Sequence, residues 1–255
     1  MGTSTGYKMP KGGEWAPLKT EVTEFAKKAP GGPGSATAIL RSYLTTIGGS
    51  EGISRGSGQG GGGGGGSGGS RSGRKTAIST ARGVGSFLSR VGAVGLDEAL
   101  REVGLPHLIG KSAGEIAEGL LDSLAGAAST LDEAAVRAAL ADLNEELLGE
   151  AETYEDVERV LTESVDSHGL AHILARFFGH YIFERFCRDF YERLVKKVGS
   201  VKASSSLDAI KDCIESAIRT KFINRDVTRV NWRGGEGSRI TDQILNDTVE
   251  IFGVA

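Results

Sequence analysis

The sequence predicts an all-α protein, a helical bundle preceded by a flexible Gly-rich N-terminal region that carries one short amphipathic helix. Three observations predict this class. From residue 76 onward apolar residues recur at helical spacing, and no stretch alternates with period two over the length of a strand. Signatures of the form Ser/Thr-x-x-Glu/Asp mark helix starts in the same region. Glycine is concentrated at the front, with 26 of the 39 glycines in residues 1–96.

Charge divides the chain at the same place. Residues 1–96 carry 12 Lys and Arg against 4 Asp and Glu, whereas residues 97–255 carry 18 against 29. No run of about 18 apolar residues is present to span a bilayer, and the first residues lack the apolar segment of a secretory signal. We therefore expect a cytoplasmic protein with no membrane partner, in which Cys187 and Cys213 are reduced.

The first 75 residues are predicted to form three unlike segments. Residues 1–34 are rich in proline and glycine and are expected to be a mostly mobile leader, with room for one short helix between Leu18 and Lys28. Residues 35–49 are predicted to be an amphipathic helix that ends at Gly48-Gly49. Residues 50–75 are a flexible Gly/Ser-rich linker. The linker would let the helix dock either on this chain or on another protein, through Ile39, Leu40, Tyr43, Leu44 and Ile47.

Residues 76–255 are predicted to form a helical domain. Capping signatures at Ser112, Thr130 and Thr153 mark three helix starts. The stretch Thr76–Val94 is a weaker helix, because each of its three internal glycines costs about 1 kcal/mol relative to alanine. The other helices are expected over residues 97–103, 112–127, 131–148, 154–166, 169–198, 207–223 and 238–252. Their short connections are typical of antiparallel neighbours.

The most aromatic helix is expected at the centre of this domain. Residues 177–191 contain seven of the 16 aromatic side chains, so the helix is apolar on most sides. Clustered aromatics can also stack on bases, but such platforms interleave them with basic residues on exposed surface. We favour a core helix, packed against the helical stripe of Leu207, Ile210, Ile214, Ala217 and Ile218.

Candidate sites for phosphates and metals are weak. The stretch Gly104–Ser112 has one residue too many for a P-loop, and Ser112 is explained as a helix N-cap. His168, His172 and His180, with Glu184 four residues further on, follow a helical ladder that could hold zinc. A polar seam along an amphipathic helix explains the ladder more simply. We therefore expect no catalytic, cofactor-binding or metal-binding residues, and a Cys187 thiol kept inert by its apolar surroundings.

The basic residues of the Gly-rich region have two interpretations. They could neutralise the phosphates of a nucleic acid, which would make binding blind to sequence and steeply dependent on salt. They could instead keep a solvated tether soluble. We favour this second interpretation because no aromatic residues are interleaved with the basic ones. The residues are Arg55, Arg71, Arg74, Lys75, Arg82 and Arg90.

The N-terminal glycine offers a reactive group. Gly2 is small enough for the initiator Met to be removed, which would expose an α-amine on an unhindered tail. A myristoylation pattern requires Ser or Thr where this chain has Gly6. An α-amine with a pKa near 8 is partly neutral at cytoplasmic pH, so it can act as a nucleophile for an external conjugating enzyme.

Several short segments together resemble one family. They are the start Met1-Gly2-Thr3-Ser4-Thr5, the helix Leu40-Arg41-Ser42-Tyr43-Leu44 running into Gly48-Gly49-Ser50, and the segment Gly110-Lys111-Ser112-Ala113-Gly114-Glu115-Ile116. With the Gly/Pro-rich leader and the helical domain, they resemble the QatB family, the small component of the bacterial Qat anti-phage defence system. The chain departs from the family pattern in its long polyglycine tract and its shorter proline-rich leader.

The resemblance implies a non-enzymatic protein encoded beside three others: a KAP-type P-loop ATPase, a QueC-like 7-deazaguanine synthetase homologue and a TatD-like nuclease. It also implies that the QueC-like enzyme conjugates a deazaguanine-type base onto an N-terminal glycine. In this chain that glycine is Gly2, with Thr3, Ser4 and Thr5 as the recognised flank.

The leading hypothesis is therefore a defence-system adaptor that docks partner proteins and presents its N-terminal tail as a substrate. A nucleic-acid-binding accessory that uses the basic Gly-rich arm is the alternative. A third hypothesis, an enzyme with a metal at His168 and His172, predicts stoichiometric metal in the purified protein.

Overall fold

The all-α class is confirmed. A computed structural model describes residues 12–28, 33–55, 72–221, 227 and 230–254, and every regular element in these ranges is helical. The described helices are α1 (Trp15–Lys27), α2 (Pro33–Ile47), α3 (Gly49–Arg55), α4 (Ser72–Val94), α5 (Leu96–Glu102), α6 (Ala113–Ala125), α7 (Leu131–Leu148), α8 (Tyr154–His168), α9 (Leu170–Val198), α10 (Ser200–Thr220) and α11 (Gly235–Glu250), with a 3-10 turn at Pro106–Leu108.

The three predicted helix caps are all formed. The Ser112 hydroxyl accepts a hydrogen bond from the Glu115 backbone N–H, and the Glu115 carboxylate accepts one from the Ser112 N–H. Thr130 with Glu133, and Thr153 with Asp156, make the same reciprocal pair. Each cap satisfies two N–H groups that a helix start otherwise leaves without a partner. This local chemistry explains why α6, α7 and α8 begin within one residue of the predicted starts.

The glycine-containing helix α4 is longer than the sequence predicts. It begins at Ser72 and continues through all three glycines to Val94. A Cβ atom on Gly85 would lie 2.6 Å from the Trp232 ring, and one on Gly83 would lie 3.0 Å from Leu124. These glycines therefore let neighbouring side chains approach the α4 backbone closely, and tertiary packing offsets their low helix propensity.

In the N-terminal region the helix is longer than the sequence predicts. The short helix expected between Leu18 and Lys28 is formed as α1, which begins earlier, at Trp15, and buries Leu18, Val22 and Phe25, the face that the sequence marks as apolar. The linker predicted over residues 50–75 is shorter at both ends, because α3 covers residues 49–55 and α4 begins at residue 72. The remaining linker residues, 56–71, lie outside the described ranges and join two helices that pack against each other.

Helix α10 also begins earlier than predicted, at Ser200 instead of residue 207. Gly199, with φ +84°, forms the turn that separates α10 from α9. Val201 in the first turn is 82% exposed, so the apolar stripe that signals the helix becomes continuous only further along.

Helix α9 occupies the centre of the molecule, as its aromatic content predicts. It packs against α1, α4, α7, α8, α10 and α11, and Phe177, Phe178 and Phe190 are fully buried. Helix α7 runs antiparallel to it, because Asp132 near the start of α7 pairs with Arg188 while Glu146 near its end pairs with Arg176. Helix α10 also runs antiparallel to α9, because Gly179 lies against Ile218 while Phe183, further along α9, lies near Lys211.

A buried polar cluster fastens the N-terminal helices to α9. The Tyr43 hydroxyl on α2 donates a hydrogen bond of 2.9 Å to Asp189, which is 2% exposed. Arg185, 1% exposed, donates to the backbone oxygens of Gly52 and Ile53 in α3 at 3.2 and 3.0 Å. Two residues before Tyr43 on α2, the Arg41 Nε donates to the Phe252 carbonyl at 3.0 Å. Helices α2 and α3 are thus an integral part of the helical domain.

Candidate functional site

A cleft of about 160 Å³ opens between α7, α9 and α10. Helix α9 contributes side chains at helical spacing, beginning with His172, Arg176 and His180, so that they share one face. The residues that line the cleft are Glu146, His172, Arg176, Gly179, His180, Phe183, Lys211, Ile214, Glu215, Ile218 and Arg219.

The floor of the cleft is apolar. It consists of Gly179 and Phe183 from α9 with Ile214 and Ile218 from α10. A Cβ atom on Gly179 would lie 2.4 Å from the Ile218 Cδ1 atom, so the bare glycine allows the two helices to approach closely. The Lys211 Nζ atom lies 5.6 Å from the centre of the Phe183 ring, within the range of a cation–π interaction.

One wall of the cleft is a network of ion pairs between α7 and α9. The Glu146 carboxylate accepts from Arg176 at 2.5 Å and lies 3.0 Å from the His180 Nε2 atom. The Asp142 carboxylate lies 3.7 Å from the other ring nitrogen of His180 and 3.6 Å from the Lys211 Nζ atom. His180 is 6% exposed, so this network fixes the ring between two carboxylates in a partly dehydrated position.

Burial and the ion-pair contacts shift the pKa values of acids in and near the cleft in opposite directions. Burial raises the pKa of the Glu146 carboxyl, but hydrogen bonds from His180 and Arg176 outweigh burial and lower that pKa to about 2. Burial, followed by the charge of Asp142, raises the pKa of the Glu184 carboxyl. Burial raises the pKa of the Cys187 thiol to about 12, which keeps it protonated and unreactive near neutral pH.

On the α10 side of the cleft, two charged side chains have no partner among the described residues. Within the described ranges, neither Glu215 nor Arg219 makes an ion pair or a side-chain hydrogen bond. The lining contains three cations, Arg176, Lys211 and Arg219, against two carboxylates. Glu146 engages Arg176 and Asp142 engages Lys211, which leaves Arg219 as the cation of the lining without an ion pair among the described residues.

The predicted histidine ladder is only partly brought together. His172 and His180 line the cleft, whereas the side chain of His168 lies outside the described residues. In the described part of the chain, no three His, Cys, Asp or Glu side chains cluster as metal ligands. Sequence reasoning missed Arg176, although it falls on the same ladder, and missed the contributions of α7 and α10, which no local pattern links to α9.

The predicted docking stripe lies against the chain's own helices. Helix α2 packs on α1 and α10, and Leu40, Tyr43 and Leu44 are fully buried, with Ile39 7% exposed and Ile47 partly buried. The sequence allows this stripe to dock on the same chain or on another protein. In the structure it packs against helices of the same chain. The predicted recognition tail, Gly2 to Thr5, lies outside the described residues.

Two residues of the predicted basic arm are used inside the fold. Arg82 donates to the Ser238 hydroxyl at 2.7 Å, and Arg90 pairs with Glu102 at 2.6 Å. The side chains of Arg55, Arg71, Arg74 and Lys75 lie outside the described residues. No helix in the described ranges is both long enough and apolar enough to cross a bilayer.

The fold and the cleft define a class: an all-α protein built around one aromatic helix, with a charged cleft between three of its helices. A family model for the Qat anti-phage system associated protein QatB matches residues 63–252. The chain therefore belongs to the QatB family and is a component of an anti-phage defence system. Comparisons with curated proteins and with solved structures gave no significant match.

Proposed function

We propose that this chain is a non-enzymatic adaptor of the Qat system. Its helical domain docks partner proteins, and the segment ahead of α1 offers Gly2 to a QueC-like enzyme that conjugates a deazaguanine-type base to the α-amine. The observation that supports this arrangement is the packing of α1 against α9. This packing fixes the position on the helical domain from which the N-terminal segment extends.

Three contacts hold α1 in place. The Trp15 ring stacks on Phe190 with 6.3 Å between ring centres and meets the Tyr43 ring edge-on at 6.4 Å. The Arg193 Nε atom on α9 donates to the Thr23 hydroxyl at 3.2 Å. An extended segment of the length of residues 1–11 spans at most about 40 Å. That length allows Gly2 to enter a partner's active site while the helical domain stays bound outside it.

The test is intact-mass measurement of the protein purified with and without the QueC-like enzyme. We expect an added mass only in the presence of the enzyme, located by peptide mapping to the N-terminal peptide. Gly2→Ala should abolish the addition, since the enzyme is expected to require glycine there. Gly6→Ala is the matched control, because it changes the same tail without changing the acceptor.

Two results would count against the proposal. An unmodified Gly2 in both preparations removes the conjugation step. Failure of the protein to co-purify with the QueC-like enzyme, the KAP-type ATPase and the TatD-like nuclease, when all are expressed together, removes the adaptor role itself.

A further inference from the structure

We propose that the cleft between α7, α9 and α10 binds a small aromatic monoanion, with its ring on the apolar floor and its carboxylate on the arginines of the rim. This site is separate from the N-terminal tail and from the contacts that hold α1. The inference therefore does not depend on the proposed conjugation of Gly2.

The size of the cleft sets the size of the ligand. Apolar cavities of about 150 Å³ in proteins bind benzene. The cleft, at about 160 Å³, has room for one six-membered ring with a small substituent. A dinucleotide or a larger cofactor does not fit this volume.

The floor favours a flat ring. Gly179 has no side chain to rise into the cleft, and Phe183 provides an aromatic surface beside it. Aromatic rings pack favourably in offset-stacked or edge-to-face arrangements, which adds to the burial of apolar area. Ile214 and Ile218 extend the apolar surface on the α10 side.

The arginines at the rim of the cleft, Arg176 and Arg219, favour a negatively charged ligand. Arg176 uses one of its terminal nitrogens for Glu146, whereas Arg219 makes no ion pair within the described residues. A guanidinium can hold a carboxylate through two parallel N–H···O bonds. Arg176 is engaged by Glu146 and Lys211 by Asp142, so among the described residues Arg219 is the guanidinium of the lining that is left to hold a carboxylate. A second negative charge on the ligand would have no such partner and would lie near Glu215. This arrangement favours one negative charge on the ligand.

The test uses benzoate as the probe, with the uncharged benzamide and the dianion phthalate for comparison. Each is titrated against the full chain by ligand-observed NMR. We expect benzoate to bind at least about tenfold more tightly than benzamide or phthalate, a difference of about 1.4 kcal/mol. Equal binding of the three probes, or no binding of benzoate, would overturn the proposal.

Arg219→Gln tests the assignment to this cleft. The side chain is exposed at the edge of α10, so the substitution should leave the fold intact, as circular dichroism would show. We expect it to weaken benzoate binding about tenfold while leaving benzamide binding unchanged. Arg239→Gln, on the exposed side of α11 and outside the lining, is the matched control. A similar loss of benzoate binding in both variants would show a general charge effect and contradict the site.

Discussion

At the scale of single residues, the main electrostatic feature is the buried His180 ring between two carboxylates, those of Asp142 and Glu146. His180 comes from α9, whereas Asp142 and Glu146 come from α7, so the three side chains join two helices. Arg176 and Lys211 add a positive charge at each end of this group. The contribution of this network to the packing of α7 on α9 is present only while the carboxylates are ionised.

Stability should therefore depend on pH through Glu146. The ordinary pKa of this carboxyl is 4.5, and its pKa in the folded protein is lowered to about 2. Between these values the unfolded chain binds a proton at Glu146 that the folded chain does not, so stability rises with pH in this window. The contribution is complete above about pH 4.5 and is lost as the pH falls towards 2.

The free energy of unfolding of the wild type should fall between pH 5 and pH 3. We expect this fall to be smaller in Glu146→Gln, as measured by urea unfolding at each pH. Glu155→Gln, on the exposed surface of α8, should leave the fall unchanged. Parallel pH profiles for the wild type and Glu146→Gln would contradict the role of this carboxylate.

At the scale of elements, α4 shows why propensity and stability can disagree. Its glycines weaken the isolated helix, but Gly85 also provides the surface on which Trp232 packs, and Trp232 is 5% exposed. Gly92 is not needed for such a contact. A Cβ atom there would lie 3.7 Å from Val165, an ordinary contact distance.

The two glycines should respond oppositely to alanine. Gly85→Ala should destabilise the protein by about 1–3 kcal/mol, because a rigid buried ring must move to make room for the methyl group. Gly92→Ala should stabilise it by about 0.4–1 kcal/mol, because the unfolded chain loses conformational freedom. Urea unfolding of both variants provides the measurement. Stabilisation by Gly85→Ala would show that Trp232 does not constrain α4.

At the scale of the whole molecule, the structural domain is larger than the part that the family model matches. The match begins at residue 63, yet α1, α2 and α3 lie before it and cover part of α9. Arg185 and Asp189 on α9 find partners in α2 and α3. Removing α2 and α3 would take the Tyr43 hydroxyl from Asp189 and the Gly52 and Ile53 carbonyls from Arg185. A hydrogen bond to a charged group typically contributes about 1.5–3 kcal/mol.

A chain of residues 63–255 should therefore unfold at a much lower temperature than the full chain, or lack a cooperative transition, because total stabilities are only about 5–15 kcal/mol. Deleting residues 1–11 is the control and should leave the melting temperature unchanged, since α1 begins at Trp15. Thermal unfolding followed by circular dichroism tests both. Equal melting temperatures for residues 63–255 and the full chain would show that α1 to α3 are dispensable.

The sequence by itself determined the helical class, the three capped helix starts and the central position of α9. Each of these depends on residues close together in the chain, through helical periodicity or a hydrogen bond across three residues. The sequence also marked the apolar faces of α1 and α2, because spacing alone shows which side chains share a face.

Tertiary structure decided what those faces contact. Whether Tyr43 meets this chain or another protein depends on Asp189, which is 146 residues away along the sequence. The continuity of α4 depends on Trp232, and the candidate cleft depends on α7 and α10 meeting on α9. Such contacts join residues that are distant in sequence, and their free energies exist only once the chain has folded, so no local pattern could predict them.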